Sequence, residues 1–394
     1  MAISRKVREQ MKESSWIRRM FEAGIELREA HGAENVFDLS LGNPLLEPPA
    51  EFRAELARLA ADKTPNTHRY MPNGGFPEVR ASVAEALAEE SGVPVTGAEI
   101  LMTVGAAGAI NTILRSILDE GDEVVLLAPY FGEYPFYIQH QTGVAKTAAC
   151  DDNWLPDITS LESAIGPRTR ALIINSPNNP TGVIYPEASI AAIGEALTRA
   201  EEKYGTEIYL VSDEPYRKLI YSDQPYPFIF NHHPRSIVAT SHSKDLGLAG
   251  ERIGYLALNP TDPGKTDLMD ALTFSIRTLG FVNAPALMQR AVAGIQRATV
   301  DIAIYRDKRD LLYGALIDIG YECVKPDGAF YVFPKSPIPD DTEFVRQLQK
   351  ELVLVVPGIG FGTPGYFRAS YCVDDWVIEG SIAGFRKVFE QANS

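Results

Sequence analysis

RALIINSPNNPTG, residues 170–182, is a run of apolar side chains of strand length that stops in turn chemistry. Alternation of apolar and polar positions, the mark of a strand with one wet face, is missing, so this strand reads as covered on both faces. The asparagines, prolines and glycine that follow break the run at once. EVVLLAP at 123–129, EIYLVSD at 207–213, SIVATSH at 236–242 and RIGYLAL at 252–258 have the same form. Helical periodicity lies before and between them in RASVAEALAEE, AAGAINTILRSILDE and EASIAAIGEALTRAEEKY. Buried strands interspersed with helices predict an α/β fold with a mostly parallel central sheet sandwiched by helices.

The rhythm changes on either side of this block. WIRRMFEAGIELREAHG, after Ser14 and Ser15, reads as a capped helix ending at Gly32, followed by the loop DLSLGNPLLEPP. Beyond residue 283, APALMQRAVAGIQRATVDIAIYRDKRDLLYGALIDIG reads as one long helical stretch, followed by shorter strands and a last helix near IEGSIAGFRKVFEQ. The expected division is residues 1–45 as an N-terminal arm and part of a smaller domain, 46–284 as the large domain, and 285–394 as the small C-terminal α+β domain. No internal repeat or low-complexity tract interrupts this plan.

Composition narrows the function classes. The chain has 394 residues, 45% of them hydrophobic and 23% charged, which suits a globular protein with more than one core. A net charge of −15 repels nucleic acid and anionic lipid, so neither is an expected partner. Cys150, Cys323 and Cys372 lie far apart and read as free, buried thiols rather than as a disulfide framework or a zinc site. The start lacks an apolar core of signal-peptide length, Glu9 and Glu13 argue against a transit peptide, and no apolar run reaches bilayer thickness. The cytoplasm is the expected compartment.

In an open parallel sheet, ligands bind beyond the carboxyl ends of the strands. Just past the apolar runs stand Tyr130 and Phe131, Asn175 and Asn179, Asp213 and Tyr216, then Ser241, Ser243 and Lys244. In TVGAA, Gly105 permits an unusual backbone, and the amides of Ala106 and Ala107 open a helix, a geometry that binds phosphate. Together these call for a ligand with a phosphate, a flat ring and a carbonyl that a lysine can attack, which describes pyridoxal 5′-phosphate. Its aldehyde forms a Schiff base with a neutral lysine amine, and the cation of Arg252 with partial desolvation favours that neutral form of Lys244. Asp213 is the candidate partner of the ring nitrogen. Asn179 and Tyr216 are candidate donors to the ring hydroxyl oxygen, Phe131 stacks on the ring, and Arg252 with Ser241 completes the phosphate cup.

Ten segments stand in the order found in a known family: DLSLGNP, RYMPNGGFPEVR, TVGAAGAI, APYFGEYP, NSPNNPTG, SDEPY, SHSKDLGLAGERIGY, FVNAPALMQ, PDGAFYVFP and PGIGFGTPGYFRAS. On them the chain, from about residue 35 to its end, closely resembles the class I/II aminotransferases of pyridoxal-phosphate fold type I, aspartate aminotransferase included. The resemblance implies that Lys244 is the Schiff-base lysine and proton shuttle, that Asn179, Asp213 and Tyr216 hold the ring, and that Arg252 holds the phosphate. It further implies that Tyr70 reaches the cofactor phosphate of a neighbouring subunit in a homodimer, that Arg368 grips the substrate α-carboxylate, and that Gly42 closes over the same group by its backbone. No metal is implied.

Two other motifs fail on context. GFGTPG, 360–365, has dinucleotide-fingerprint spacing but contains Pro364 and runs into YFRASYCV, which reads as a strand. SHSK, 241–244, has the spacing of serine acyl-transferring enzymes, but neither K-T-G nor S-D-N occurs. All six histidines, His242 included, read as structural.

The expected reaction is ping-pong transamination between an L-amino acid and a 2-oxo acid. Arg277, about 25 residues beyond Arg252, is the candidate for an acidic substrate's distal carboxylate, contributed across the homodimer; a surface or interface ion pair is the other reading. Trp16 and Arg18 in the arm could instead shape an aromatic or neutral pocket. The rivals are a cofactor-dependent β C–S lyase or β-decarboxylase of the same fold, an effector module of a regulator, and a serine hydrolase.

Overall fold

The computed structural model describes residues 3–12, 16–223 and 225–394. Its centre is a seven-stranded sheet. In chain order the strands are β1 (Ile100–Thr103), β2 (Glu123–Ala128), β3 (Val144–Ala149), β4 (Thr169–Asn175), β5 (Tyr209–Asp213), β6 (Ser236–Ser241) and β7 (Gly254–Leu258). Across the sheet they lie in the order β1-β7-β6-β5-β4-β2-β3. The pairs from β6 to β3 are parallel. β7 runs antiparallel to both of its neighbours. Every strand but β7 therefore ends on one edge of the sheet, and β7 begins there.

The apolar runs are explained by the two cores they feed. Along β4, Leu172 and Ile174 enter the cluster with Val83, Leu87, Ile193 and Leu197, while Ala171 and Ile173 enter the cluster with Ile110, Ile113, Leu272 and Ile276. Alternate side chains point to opposite faces and both faces carry helices, so no position is left for a polar residue. Helices Pro77–Ser91 and Glu187–Tyr204 cover one face, and Gly105–Ile117 with Lys265–Thr278 covers the other.

A third core gathers Phe330, Phe344, Phe367 and Phe385 beside a three-stranded antiparallel sheet of Val356–Pro357, Phe367–Ser370 and Tyr331–Val332. Phe37–Asp38 pairs in parallel with Val353–Leu354, tying the end of the arm to the C-terminal part. The arm helix Trp16–His31 stops at Gly32, whose φ of 86° suits glycine. The expected caps Ser14 and Ser15 lie outside the described residues.

The expectation of one long helix beyond residue 283 is corrected: the structure has two helices, Ala286–Ala293 and Ile302–Ile319. Asp301 caps the second through the Ala303 amide (3.0 Å), a bond that sets a helix start rather than a helix middle. In the break, the Val300 amide and the Thr299 hydroxyl both donate to the backbone oxygen of Asp245 (2.8 and 3.1 Å). Among the described residues no helix is long and apolar enough to cross a membrane. The three cysteines are free; Cys372 is buried, whereas Cys150 and Cys323 are half-buried rather than fully enclosed.

Candidate active site

The edge where the strands end is where the candidate residues meet. Asn175 closes β4 opposite Asp213, which closes β5. Ser241 closes β6 opposite Gly254, and Gly254 also faces Thr103 at the end of β1. Because β7 is reversed, Arg252, just before its first residue, falls on this same edge. A cavity of about 310 Å³ opens here.

Lys244 projects into it from the single turn His242–Asp245, whose start is fixed by the Ser241 hydroxyl accepting from the Ser243 amide (3.2 Å). Its Nζ donates to the Gly42 carbonyl (2.7 Å) and lies 5.3 Å from the centre of the Phe330 ring. Burial pushes the amine down to about 8, and the cations of Arg368 and Arg252 add to the fall. About a tenth of the amine is then neutral, and so nucleophilic, at pH 7, far more than at the usual lysine value.

Asp213 is buried on the opposite wall. Its Oδ2 accepts from the Tyr134 hydroxyl (2.5 Å), and its Oδ1 is buried with no partner among the described residues. Burial pushes the carboxyl up to about 7. The Asn175 side chain fixes this wall, donating to the Asp213 backbone oxygen (2.8 Å) and accepting from the Asn179 amide (2.6 Å). A buried carboxylate with one free oxygen calls for a cationic N–H partner.

A third group suits an anion. Arg252 has a left-handed backbone (φ 52°), its Nη1 donates to the Ala249 oxygen (3.0 Å), and the Ser243 hydroxyl lies 3.5 Å away. Gly105 also has positive φ (70°), and a β-carbon there would lie 2.8 Å from the Arg252 guanidinium. Ala106 and Ala107, in the first turn of Gly105–Ile117, line the cavity with amides that have no intrahelical partner.

Arg368, only 1% exposed, lies under the other side of the cavity. Its Nη1 donates to Asn179 Oδ1 (2.9 Å) and its Nη2 to the Ser40 oxygen (2.6 Å). Its guanidinium rests 4.5 Å from the ring centre of Tyr331 and 4.9 Å from that of Phe361. Such a planar fork suits a carboxylate.

Gly42, Ala106, Ala107, Phe131, Asn179, Asp213, Tyr216, Ser241, Lys244, Arg252 and Arg368 all line this one cavity, with Gly105 against its arginine. Tyr70 and Arg277 do not: Tyr70 is 90% exposed, and Arg277 is an exposed cation beside the Phe274 ring. Trp16 sits against Gly360, while the Arg18 side chain lies outside the described residues. His242 faces away from the cavity lining, bonded to Asp245 (3.1 Å) and near Gln296 (3.3 Å). Sequence reasoning passes over Tyr134 and Tyr331. Tyr134 opens the helix Tyr134–His140 rather than ending a strand, and Tyr331 comes from the C-terminal sheet, so only the fold brings them here.

Pyridoxal phosphate fits this donor set, since its ring N–H matches the unpartnered Asp213 oxygen, its phosphate the Arg252 cup, and its aldehyde the Lys244 amine. Comparison with known proteins agrees. The model of the family "Aminotransferase class I and II" matches residues 34–380. The chain is 35% identical to a probable aspartate/prephenate aminotransferase of Thermus aquaticus, over 89% of this chain and 91% of the relative. It is 34% identical to the aspartate/prephenate aminotransferase of Thermus thermophilus, over 90% and 91%. Among solved structures, an amino transferase of Eubacterium rectale superposes with a TM-score of 0.96 at 36% identity, covering 100% of both chains. The aspartate aminotransferase of Thermus thermophilus with maleate superposes with a TM-score of 0.87 at 29% identity, covering 98% of this chain and 100% of that one. The chain belongs to the class I and II aminotransferase family and is a pyridoxal-phosphate-dependent aminotransferase.

Proposed function

We propose that Lys244 carries the cofactor and moves the proton in transamination between an acidic L-amino acid and a 2-oxo acid. The observation that carries this reading is the shared cavity of a lysine amine lowered by burial and a buried aspartate with one unpartnered oxygen. When bound, pyridoxal phosphate supplies an aldehyde that condenses with amines and a ring that takes up the electrons of a broken Cα–H bond. Asp213 Oδ1 would keep the ring nitrogen protonated, and Tyr134 anchors that carboxylate. Asn179 and Tyr216 would donate to the ring oxygen, Phe131 would stack on the ring, and Arg252, Ser241 and the Ala106 and Ala107 amides, with the room left by Gly105, would hold the phosphate. Arg368 orients the α-carboxylate with Gly42 beside it. Lys244, at hydrogen-bond distance from the Gly42 oxygen, would accept the Cα proton once the substrate amine has replaced it on the cofactor.

The acidic substrate is supported by the aspartate/prephenate aminotransferases among the relatives and by the dicarboxylate maleate in the Thermus thermophilus structure. The cations lining the cavity, among the described residues, are Lys244, Arg252 and Arg368, and each is already engaged. The distal carboxylate is then met by Arg277 of a second copy, as Tyr70 of that copy meets the phosphate, in a cytoplasmic homodimer. The smaller domain comprises residues 1–45 and 285–394, and the large domain 46–284; the pairing of Phe37–Asp38 with Val353–Leu354 supports that division.

A panel of amino donors against 2-oxoglutarate tests the reading. Aspartate is expected to be the preferred donor, and Lys244→Ala to lower kcat by ~10³-fold or more. Arg277→Ala is expected to lower kcat/KM for aspartate by roughly tenfold to a hundredfold and to spare neutral donors. Full turnover by Lys244→Ala contradicts the mechanism; an unchanged aspartate preference in Arg277→Ala contradicts the specificity.

A further inference from the structure

Tyr331 joins three parts of the site that the chain holds far apart. It lies in the strand Tyr331–Val332 of the C-terminal sheet and is 2% exposed. Its hydroxyl is 2.9 Å from that of Tyr216, and the two rings meet edge to face, with centres 5.8 Å apart. Its ring face carries the Arg368 guanidinium at 4.5 Å. A β-carbon on Gly42 would fall 1.9 Å from the Tyr331 oxygen, so the hydroxyl occupies the space where any other residue at 42 would put its side chain. The Gly42 carbonyl in turn accepts from Lys244.

We propose that Tyr331 is a positioning residue of the reaction, its hydroxyl donating to Tyr216 so that Tyr216 donates into the cavity, and its ring holding the plane of Arg368. The proposal rests on the reading that Tyr216 donates to the cofactor ring oxygen and that Arg368 takes the α-carboxylate. Of two hydroxyls in contact, one donates and the other accepts. A hydroxyl that accepts is polarised and becomes the stronger donor through its own proton. Tyr216, accepting from Tyr331, therefore stabilises negative charge on the ring oxygen more strongly than it would alone. On the Arg368 side, an aromatic face under a guanidinium keeps the fork flat without competing for its N–H groups.

The charged and titratable groups facing Lys244 are Cys372, Arg368 and Arg252. Those facing Tyr331 are Arg368, Cys372, Tyr216 and Tyr305; removing the Tyr331 hydroxyl takes a hydrogen-bond partner from Tyr216 and leaves Arg368 its aromatic face. The effect of that removal is then carried through Tyr216.

The test is a pH titration of the visible absorbance of the holoprotein, with KM for the amino donor, in the wild type, Tyr331→Phe, Tyr331→Leu and Tyr216→Phe. Stabilised charge on the ring oxygen lowers the pH at which the chromophore loses its proton. Tyr331→Phe is expected to raise that midpoint by about half a pH unit while leaving KM near the wild-type value, because the ring under Arg368 is kept. Tyr331→Leu is expected to raise the midpoint similarly and also to raise KM, roughly tenfold, by removing the ring. A midpoint unmoved in Tyr331→Phe, with Tyr216→Phe shifted, overturns the role of Tyr331 alone. A midpoint unmoved in Tyr216→Phe overturns the reading of Tyr216 on which it rests.

Discussion

An aspartate enclosed in protein with a single hydroxyl partner, as Asp213 is with Tyr134, holds its proton to unusually high pH. In the unfolded chain it loses the proton near 3.8; in the fold, burial keeps it to about 7. Between those values the folded state binds more protons than the unfolded one, so this group's contribution to stability is complete below the lower value and is lost as pH rises through the upper. At pH 8 the ionised carboxylate costs the cofactor-free fold on the order of 4 kcal/mol. Asp213→Asn keeps the acceptor for Tyr134 and removes the charge. The cofactor-free variant is expected to melt above the cofactor-free wild type at pH 8, with the gap shrinking at pH 5, and the holoenzyme to lose on the order of a hundredfold or more in kcat. Equal melting temperatures at pH 8 would contradict the electrostatic account. Asp213 is legible in the sequence because a carboxylate directly after a buried strand has to lie at the ligand edge. Tyr134 is not, because its spacing from Tyr130 marks no strand end and its partner lies far along the chain.

Among the elements, the reversal of β7 matters most. An arginine before a parallel strand would sit on the edge away from the ligand; antiparallel pairing with β1 and β6 brings Arg252 beside Lys244. The sequence carries no mark of that reversal, because β7 is as apolar as its parallel neighbours. β1 and β3 escape sequence reading for different reasons. β1 is a four-residue strand, and β3, at the sheet edge, places Lys146 and Thr147 where a buried strand has aliphatics. The loop through Gly42 belongs to the same scale, since it packs directly on Tyr331. Gly42→Ala is expected to displace the Tyr331 hydroxyl, costing roughly 1–3 kcal/mol of stability and raising KM for the amino donor. Thermal melting and donor kinetics check it; an unchanged melting temperature and KM would mean that the close packing at Gly42 has no role.

At the scale of the whole molecule, the sheet edge supplies Asp213, Lys244 and Arg252, and residues buried with the third core, Tyr331 and Arg368 among them, supply the other side of the cavity. The cavity lies where separate cores meet, and that the strand-end residues share one crevice is readable from their places just past the apolar runs. What belongs to a second copy is less readable in one chain, as Tyr70, 90% exposed, illustrates. On the homodimer reading its hydroxyl meets a phosphate across the interface, so Tyr70→Phe is expected to weaken cofactor retention by about tenfold in equilibrium dialysis without dissociating the dimer. Unchanged retention would remove Tyr70 from the site. The claim on which the rest depends is that Lys244 is the covalent attachment point, and reduction of the yellow holoprotein with borohydride followed by peptide mass mapping tests it most directly. The account predicts that the colour bleaches and that the pyridoxyl mass falls on Lys244; a label on another lysine, or the same labelling in Lys244→Ala, would contradict it.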